Sequence, residues 1–238
     1  MRTVILCGGK GTRAYPHTLE VPKPLLEVAE RPVLAHLMEI YAAQGFTDFV
    51  LAAGYKIEMV EAFAETLPST WTVEVADTGW DTNTGGRVRQ LADRVGDEFF
   101  LTYADGLGNV DLVALAEFHR SHPGAATLTT VPLPSQYGTI DVDDDGRIRC
   151  FREKPRLPDH RINAGFFVMD ARVVDLWPDP GEDLERDVLP GLGAKGELFA
   201  FHHPGFWKSM DTYKDACDLT ALCTDRTGPW LDRPGAPM

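Results

Sequence analysis

The sequence predicts an α/β protein with a mixed, mainly parallel sheet covered by helices on both faces. Three observations carry that expectation. Short β-branched and aromatic runs alternate with segments of helical periodicity through the first half of the chain. A glycine-rich turn follows the first of those runs directly. No Pro/Gly/Ser-rich linker and no repeat of constant period divides the 238 residues, 44% of them apolar, so one large core can be buried. We expect one domain over residues 1–226 and a loose C-terminal tail, 227–238.

Taken in order, Thr3–Cys7, Asp48–Ala53, Trp71–Ala76, Phe99–Ala104 and Ala126–Val131 are short enough and β-branched or aromatic enough for strands. Between them Val33–Gln44, Lys56–Glu65, Gly86–Val95 and Asp111–Arg120 carry apolar residues at helical spacing. Such alternation implies crossover units and a sheet buried on both faces. Ligands then bind beyond the carboxyl ends of the strands, so the loops that follow strands matter most. The second half changes character. Gly138–Val142, Arg147–Arg152 and Ile162–Met169 predict strands joined by turns such as Asp143-Asp144-Asp145-Gly146, hence antiparallel additions. A last helix is expected over Thr212–Cys223.

The formal net charge of −13 argues against broad binding to nucleic acid or anionic lipid, both of which require a basic face. Against that acidic background, residues 1–25 hold Arg2, Lys10, Arg13 and Lys23 with only Glu20 opposing them. The four cysteines are scattered, without metal-like spacing, and fit reduced thiols. No apolar run approaches membrane-spanning length, and the first residues do not read as a signal peptide. A soluble cytoplasmic protein is expected. His119 and His122 lie one helical turn apart and read as part of a solvated face.

In Cys7-Gly8-Gly9-Lys10-Gly11-Thr12-Arg13 the glycines let backbone N–H groups approach phosphate oxygens, and Arg13 can add bidentate hydrogen bonds. Gly9-x-Gly11-x-x-Ala14 also fits the loose dinucleotide fingerprint of oxidoreductases, which needs a helix starting at the loop. Pro16, Pro22 and Pro24 deny that helix, since proline inside one costs about 3 kcal/mol. A P-loop is excluded too, because Lys10 is not followed by Ser or Thr. Lys23, between two prolines, is expected to project from a stiff, extended segment.

The glycine loop followed by Pro22-Lys23-Pro24-Leu25 resembles the signature of the sugar nucleotidyltransferases. Tyr103-Ala104-Asp105-Gly106, Glu153-Lys154-Pro155, Asn163-Ala164-Gly165-Phe166 and Phe206-Trp207-Lys208-Ser209-Met210-Asp211 follow in the same order. Asp77-Thr78-Gly79, Thr84-Gly85-Gly86-Arg87 and His203-Pro204-Gly205-Phe206-Trp207 look like the glucose-1-phosphate cytidylyltransferase branch. The resemblance implies a Rossmann-like nucleotidyltransferase fold, a homo-oligomer, and CTP and a hexose 1-phosphate as substrates, with CDP-sugar and pyrophosphate as products. Three features depart from the family. The stretch before Asp77 is short, and Ala104 and Ala164 stand where glycines are usual.

In such a reaction a sugar-phosphate oxygen attacks the α-phosphorus and pyrophosphate leaves in line. A phosphate monoester, with a second pKa near ~6, is already mostly a dianion and needs no general base. The difficulty is electrostatic, which calls for cations and Mg²⁺. Arg13, Lys23 and Lys154 are the expected catalytic cations, with Lys154 on the sugar phosphate. Gly8, Gly9, Gly11, Thr12 and Arg13 would hold the nucleotide phosphates, and Asp105 with Asp211 would ligate the metal. Arg87 is the candidate reader of the base, against the alternative of a surface arginine in a helix's first turn. Gly138, Glu153, Asn163 and Trp207 are expected on the sugar side. Two other readings remain: a nucleotidyltransferase using another nucleoside triphosphate or another sugar phosphate, and, from another class, a nonreacting nucleotide-sugar sensor on the same fold.

Overall fold

A computed structural model describes residues 1–178 and 182–236. In chain order, β1 (Arg2–Leu6) leads to the small hairpin β2 (Glu27–Val28) and β3 (Arg31–Pro32), then α1 (Val33–Ala42), β4 (Asp48–Ala53), α2 (Ile57–Ala64) and β5 (Thr72–Asp77). Next come α3 (Thr84–Gln90), β6 (Glu98–Tyr103), β7 (Gly106–Gly108), α4 (Leu112–Arg120) and β8 (Ala126–Pro134). The hairpin β9 (Thr139–Val142) and β10 (Ile148–Arg152) precedes β11 (Arg156–Asp170). The chain then forms α5 (Leu189–Ala194), β12 (Leu198–His202), β13 (Trp207–Ser209) and α6 (Tyr213–Thr220).

Seven strands form one sheet in the order β12-β8-β11-β6-β1-β4-β5. All neighbours run parallel except at β11, which is antiparallel to both β6 and β8. The expected mixed, mainly parallel sheet is therefore present. Side chains alternate between its faces with the period of two that strands impose. Ile5, Leu51, Phe100 and Phe166 enter one buried cluster, closed by Leu34, Leu37 and Met38 of α1 and Leu115 of α4. Val4, Val50, Leu101 and Phe167 enter the other, closed by Val88 of α3 and by Leu184, Val188 and Leu192.

Some boundaries differ from expectation. β12 was not anticipated; its five residues take a parallel place beside β8. β11 is 15 residues long rather than the eight of Ile162–Met169, because its register with β8 resumes after a break between Leu157 and Arg161. α3 begins at Thr84 and stops at Gln90, where Leu91 leaves helical geometry. The stretch expected as a loose tail is docked: Trp230 is 1% exposed, sits edge-on to His36, and belongs to the first cluster. Asn109 Nδ2 donates to the carbonyls of Arg233 and Ala236. Pro237 and Met238 lie outside the described residues. His119 and His122 are no solvated face. His119 is 3% exposed between Thr127 and Asp170, and His122 stacks on Phe199 at 3.8 Å.

Candidate active site

β1 and β6 run side by side with Leu6 opposite Tyr103. Their carboxyl ends therefore release the glycine loop and Asp105 next to one another, over a cavity of about 590 Å³. Its walls include Gly8, Gly9, Gly11, Arg13, Lys23, Arg87, Asp105, Asn163, Trp207 and Asp211.

No α-helix starts at the loop; short 3₁₀ turns at Thr12–Ala14, His17–Leu19 and Lys23–Leu25 intervene before α1. Gly11 adopts φ 62°, and a Cβ there would lie 2.6 Å from Cβ of Lys23. Beneath the loop runs Arg87. Its guanidinium donates to the carbonyls of Gly8 (3.0 Å) and Ala53 (2.9 Å) and to Thr78 Oγ1 (2.6 Å). A Cβ on Gly8 would sit 2.0 Å from that group, so only glycine fits above it. At 3% exposure Arg87 is not a surface residue; it borders the cavity and holds the loop through these bonds.

Lys23 is not on an extended mount. The 3₁₀ turn folds it inward to 8% exposure, with its ammonium 2.5 Å from Asp105 Oδ2 and 3.3 Å from Asp211 Oδ1. Arg13 reaches the same Asp211 oxygen at 2.9 Å, and Ser209 donates to the other at 3.1 Å. Two aspartates so distant in sequence meet because β7 and β13 pair antiparallel, Gly106 opposite Ser209. Beyond the pair, Met210 N–H donates to the Asp105 carbonyl, and Asp211 enters α6 through the Thr212–Asp215 capping box. Among the described residues no group of three or more His, Cys, Asp or Glu is arranged for a metal. Two hard carboxylates converging on one cation nevertheless fit Mg²⁺, which takes one or two protein carboxylates and completes its shell with water and substrate phosphates.

On the opposite wall Asn163 Nδ2 donates to Tyr103 Oη at 3.2 Å, while its Oδ1 accepts from Gly165 N–H at 2.8 Å. Tyr103 Oη donates to Glu185 Oε1 (2.5 Å), and Thr84 Oγ1 to Glu185 Oε2 (2.9 Å). Burial, reinforced by that carboxylate, pushes the Tyr103 hydroxyl well above its usual pKa. Trp207 Nε1 donates to the Ala164 carbonyl at 2.7 Å, fixing the ring as a wall.

Thr12, Gly138, Glu153 and Lys154 are not among the lining residues. Gly138 and Glu153 are neighbours, a Cβ on the glycine falling 3.2 Å from Glu153 Oε2. They lie at the base of the separate two-stranded hairpin β9–β10, and Lys154 is exposed with φ 43°. Conversely, sequence reasoning missed Tyr103, Thr84 and Glu185 as lining groups. Tyr103 could have been found from its place at the carboxyl end of a central strand. Glu185 carries no such signal, since one acid in Glu182-Asp183-Leu184-Glu185-Arg186-Asp187 reads as a solvated charge.

A loop without a helix, enclosed cations and paired carboxylates suit the meeting of phosphate groups and leave no seat for a dinucleotide's pyrophosphate, so fold and site define a group-transfer enzyme acting on phosphates. The chain belongs to the nucleotidyl transferase family, whose model matches residues 2–226. It is 36% identical to glucose-1-phosphate cytidylyltransferase of Salmonella typhi, over 97% of this chain and 98% of that one. That alignment spans 254 positions against 238 residues here, so the relative has residues this chain lacks. Mannose-1-phosphate guanyltransferase of Saccharomyces cerevisiae is 35% identical over 93% of this chain, but only 64% of its own length is covered. The fold is also that of HddC from Yersinia pseudotuberculosis, crystallised with GMP-PN: TM-score 0.71, 22% identity, 92% of this chain and 98% of that chain covered.

Proposed function

We propose that the chain transfers CMP from CTP to a hexose 1-phosphate, glucose 1-phosphate in the first instance, releasing CDP-sugar and pyrophosphate. The observation that carries this reading is end-to-end likeness to a cytidylyltransferase of that name, against partial coverage of the guanyltransferase. The cavity supports it chemically. In this reading glycine-loop N–H groups and Arg13 bind the triphosphate and Lys23 bridges the reacting phosphates, a role supported by all of them lining the one cavity. The sugar phosphate needs no base, so the enclosed ammonium acts by offsetting charge as the α-phosphorus changes partners. Asp105 and Asp211 would hold Mg²⁺, which supplies further neutralisation of the phosphate oxygens when bound. Asn163 and Glu185 offer hydrogen-bonding groups to sugar hydroxyls against the Trp207 wall.

Gly138, Glu153 and Lys154 belong to the same proposal as sugar-phosphate ligands, carried to the filled cavity by closure of the hairpin. Exposed Ile140, Val142, Ile148 and Phe151 on that hairpin support a homo-oligomer, and four free thiols support a reducing cytoplasm. The test is a grid of pyrophosphate release with each nucleoside triphosphate and several sugar 1-phosphates. We expect turnover with CTP and glucose 1-phosphate, and its absence with every pair would remove the enzyme reading in favour of a nucleotide-sugar sensor.

A further inference from the structure

The charged residues lining the cavity balance: Arg13, Lys23 and Arg87 against Asp105, Asp211 and Glu185. Lys23 is already shared between the two aspartates, Arg13 is engaged by one of them, and Arg87 is tied to backbone carbonyls. Once Asp105 and Asp211 turn to Mg²⁺, Arg13 and Lys23 are released to the phosphates, and the outer phosphates of a triphosphate can still take a further cation. One further cation lies at the rim. Lys10, between the lining residues Gly9 and Gly11, is itself not in the lining. Its ammonium is turned away, 4.0 Å from the centre of the Trp80 ring and 3.7 Å from Asp81 Oδ1.

That clasp spans two loops, the glycine loop after β1 and the segment after β5 whose Thr82, Asn83 and Thr84 line the cavity. Trp80 is 61% exposed, and the Lys10 and Asp81 side chains are 43% and 79% exposed. An exposed cation–π contact and an exposed ion pair are both weak, whereas a nearby polyanion in a partly enclosed cavity attracts an ammonium strongly. Gly9 beside it is uncrowded, since a Cβ there would meet nothing within 4 Å.

We propose that Lys10 is a triphosphate-binding residue held in reserve: Trp80 and Asp81 park it at the rim, and nucleotide draws it inward. This rests on the nucleotide-transfer reading above. The experiment is calorimetric titration of CTP and of CMP, with Mg²⁺ and without sugar phosphate, into the full chain and two variants. Lys10→Met should weaken CTP about tenfold and leave CMP nearly unchanged, because the missing charge acts on the outer phosphates. Trp80→Leu should tighten CTP by about two- to fivefold, because it releases the lysine from its perch. If the clasp merely fastens two loops, both variants weaken both nucleotides alike, and that result overturns the proposal. So does unchanged CTP affinity in Lys10→Met. Wild-type protein that binds no CTP would instead sink the nucleotide reading on which the proposal stands.

Discussion

Among the described residues, the lysine and arginine side chains that are buried are Lys23 and Arg87. Enclosure magnifies what each charge does. Lys23→Ala removes the ammonium between two carboxylates, so turnover should fall about 10²–10³-fold while CTP affinity changes far less; equal losses in both would assign Lys23 to binding. Arg87→Met should show the reverse emphasis. It removes charge-assisted bonds to Gly8, Ala53 and Thr78, lowers stability by about 3 kcal/mol, and loosens the loop that receives the phosphates. Thermal unfolding with and without CTP checks it; a variant melting like wild type would contradict the holding role.

At the scale of elements, the site depends on the three-residue ribbon β7–β13, which sets Asp105 beside Asp211. A Cβ on Gly108 would sit 2.9 Å from the Phe206 carbonyl. Gly108→Val should therefore separate the aspartates and reduce turnover about 100-fold with the main sheet intact; full activity with a normal circular dichroism spectrum would dissociate the ribbon from the site. This ribbon also marks what was legible in the sequence. β1, β4 and β6 declare themselves through runs such as Thr3-Val4-Ile5-Leu6, because a strand buried on both faces must be apolar throughout. The cationic loop stood out by its glycines, whereas Asp105 and Asp211 were legible only through the resemblance of their motifs, since each in isolation reads as a turn or a cap. A pairing between residues about a hundred apart has no local signature, and three residues with two glycines carry no strand propensity. β12 went unnoticed for a related reason: its place is decided by the parallel edge of β8 rather than by its own five residues. The inward turn of Lys23 was equally illegible, because proline restricts the backbone without saying where the ammonium will find its partners.

Over the whole molecule, three packed histidines give stability a dependence on pH. Burial lowers the pKa of His36, His122 and His203 from the ordinary 6.5. The folded state then keeps them neutral where the unfolded chain takes up protons. Their contribution is complete above that ordinary value and declines as pH falls below it. Melting temperature should drop between about pH 7.5 and about pH 5.5, and a flat profile would contradict the assignment. Trp230→Ala empties the site beside His36 and Phe206 and should cost about 3–5 kcal/mol, read from denaturant midpoints.

Among the described residues β11 joins the two halves of the sheet, with β6 on one side and β8 on the other. On a ribosome, the growing chain displays β6 as an open margin until residues 156–170 emerge, and β8 waits detached. Synthesis halted before Arg156 should therefore yield a self-associating fragment, whereas the finished chain has its seam closed from within.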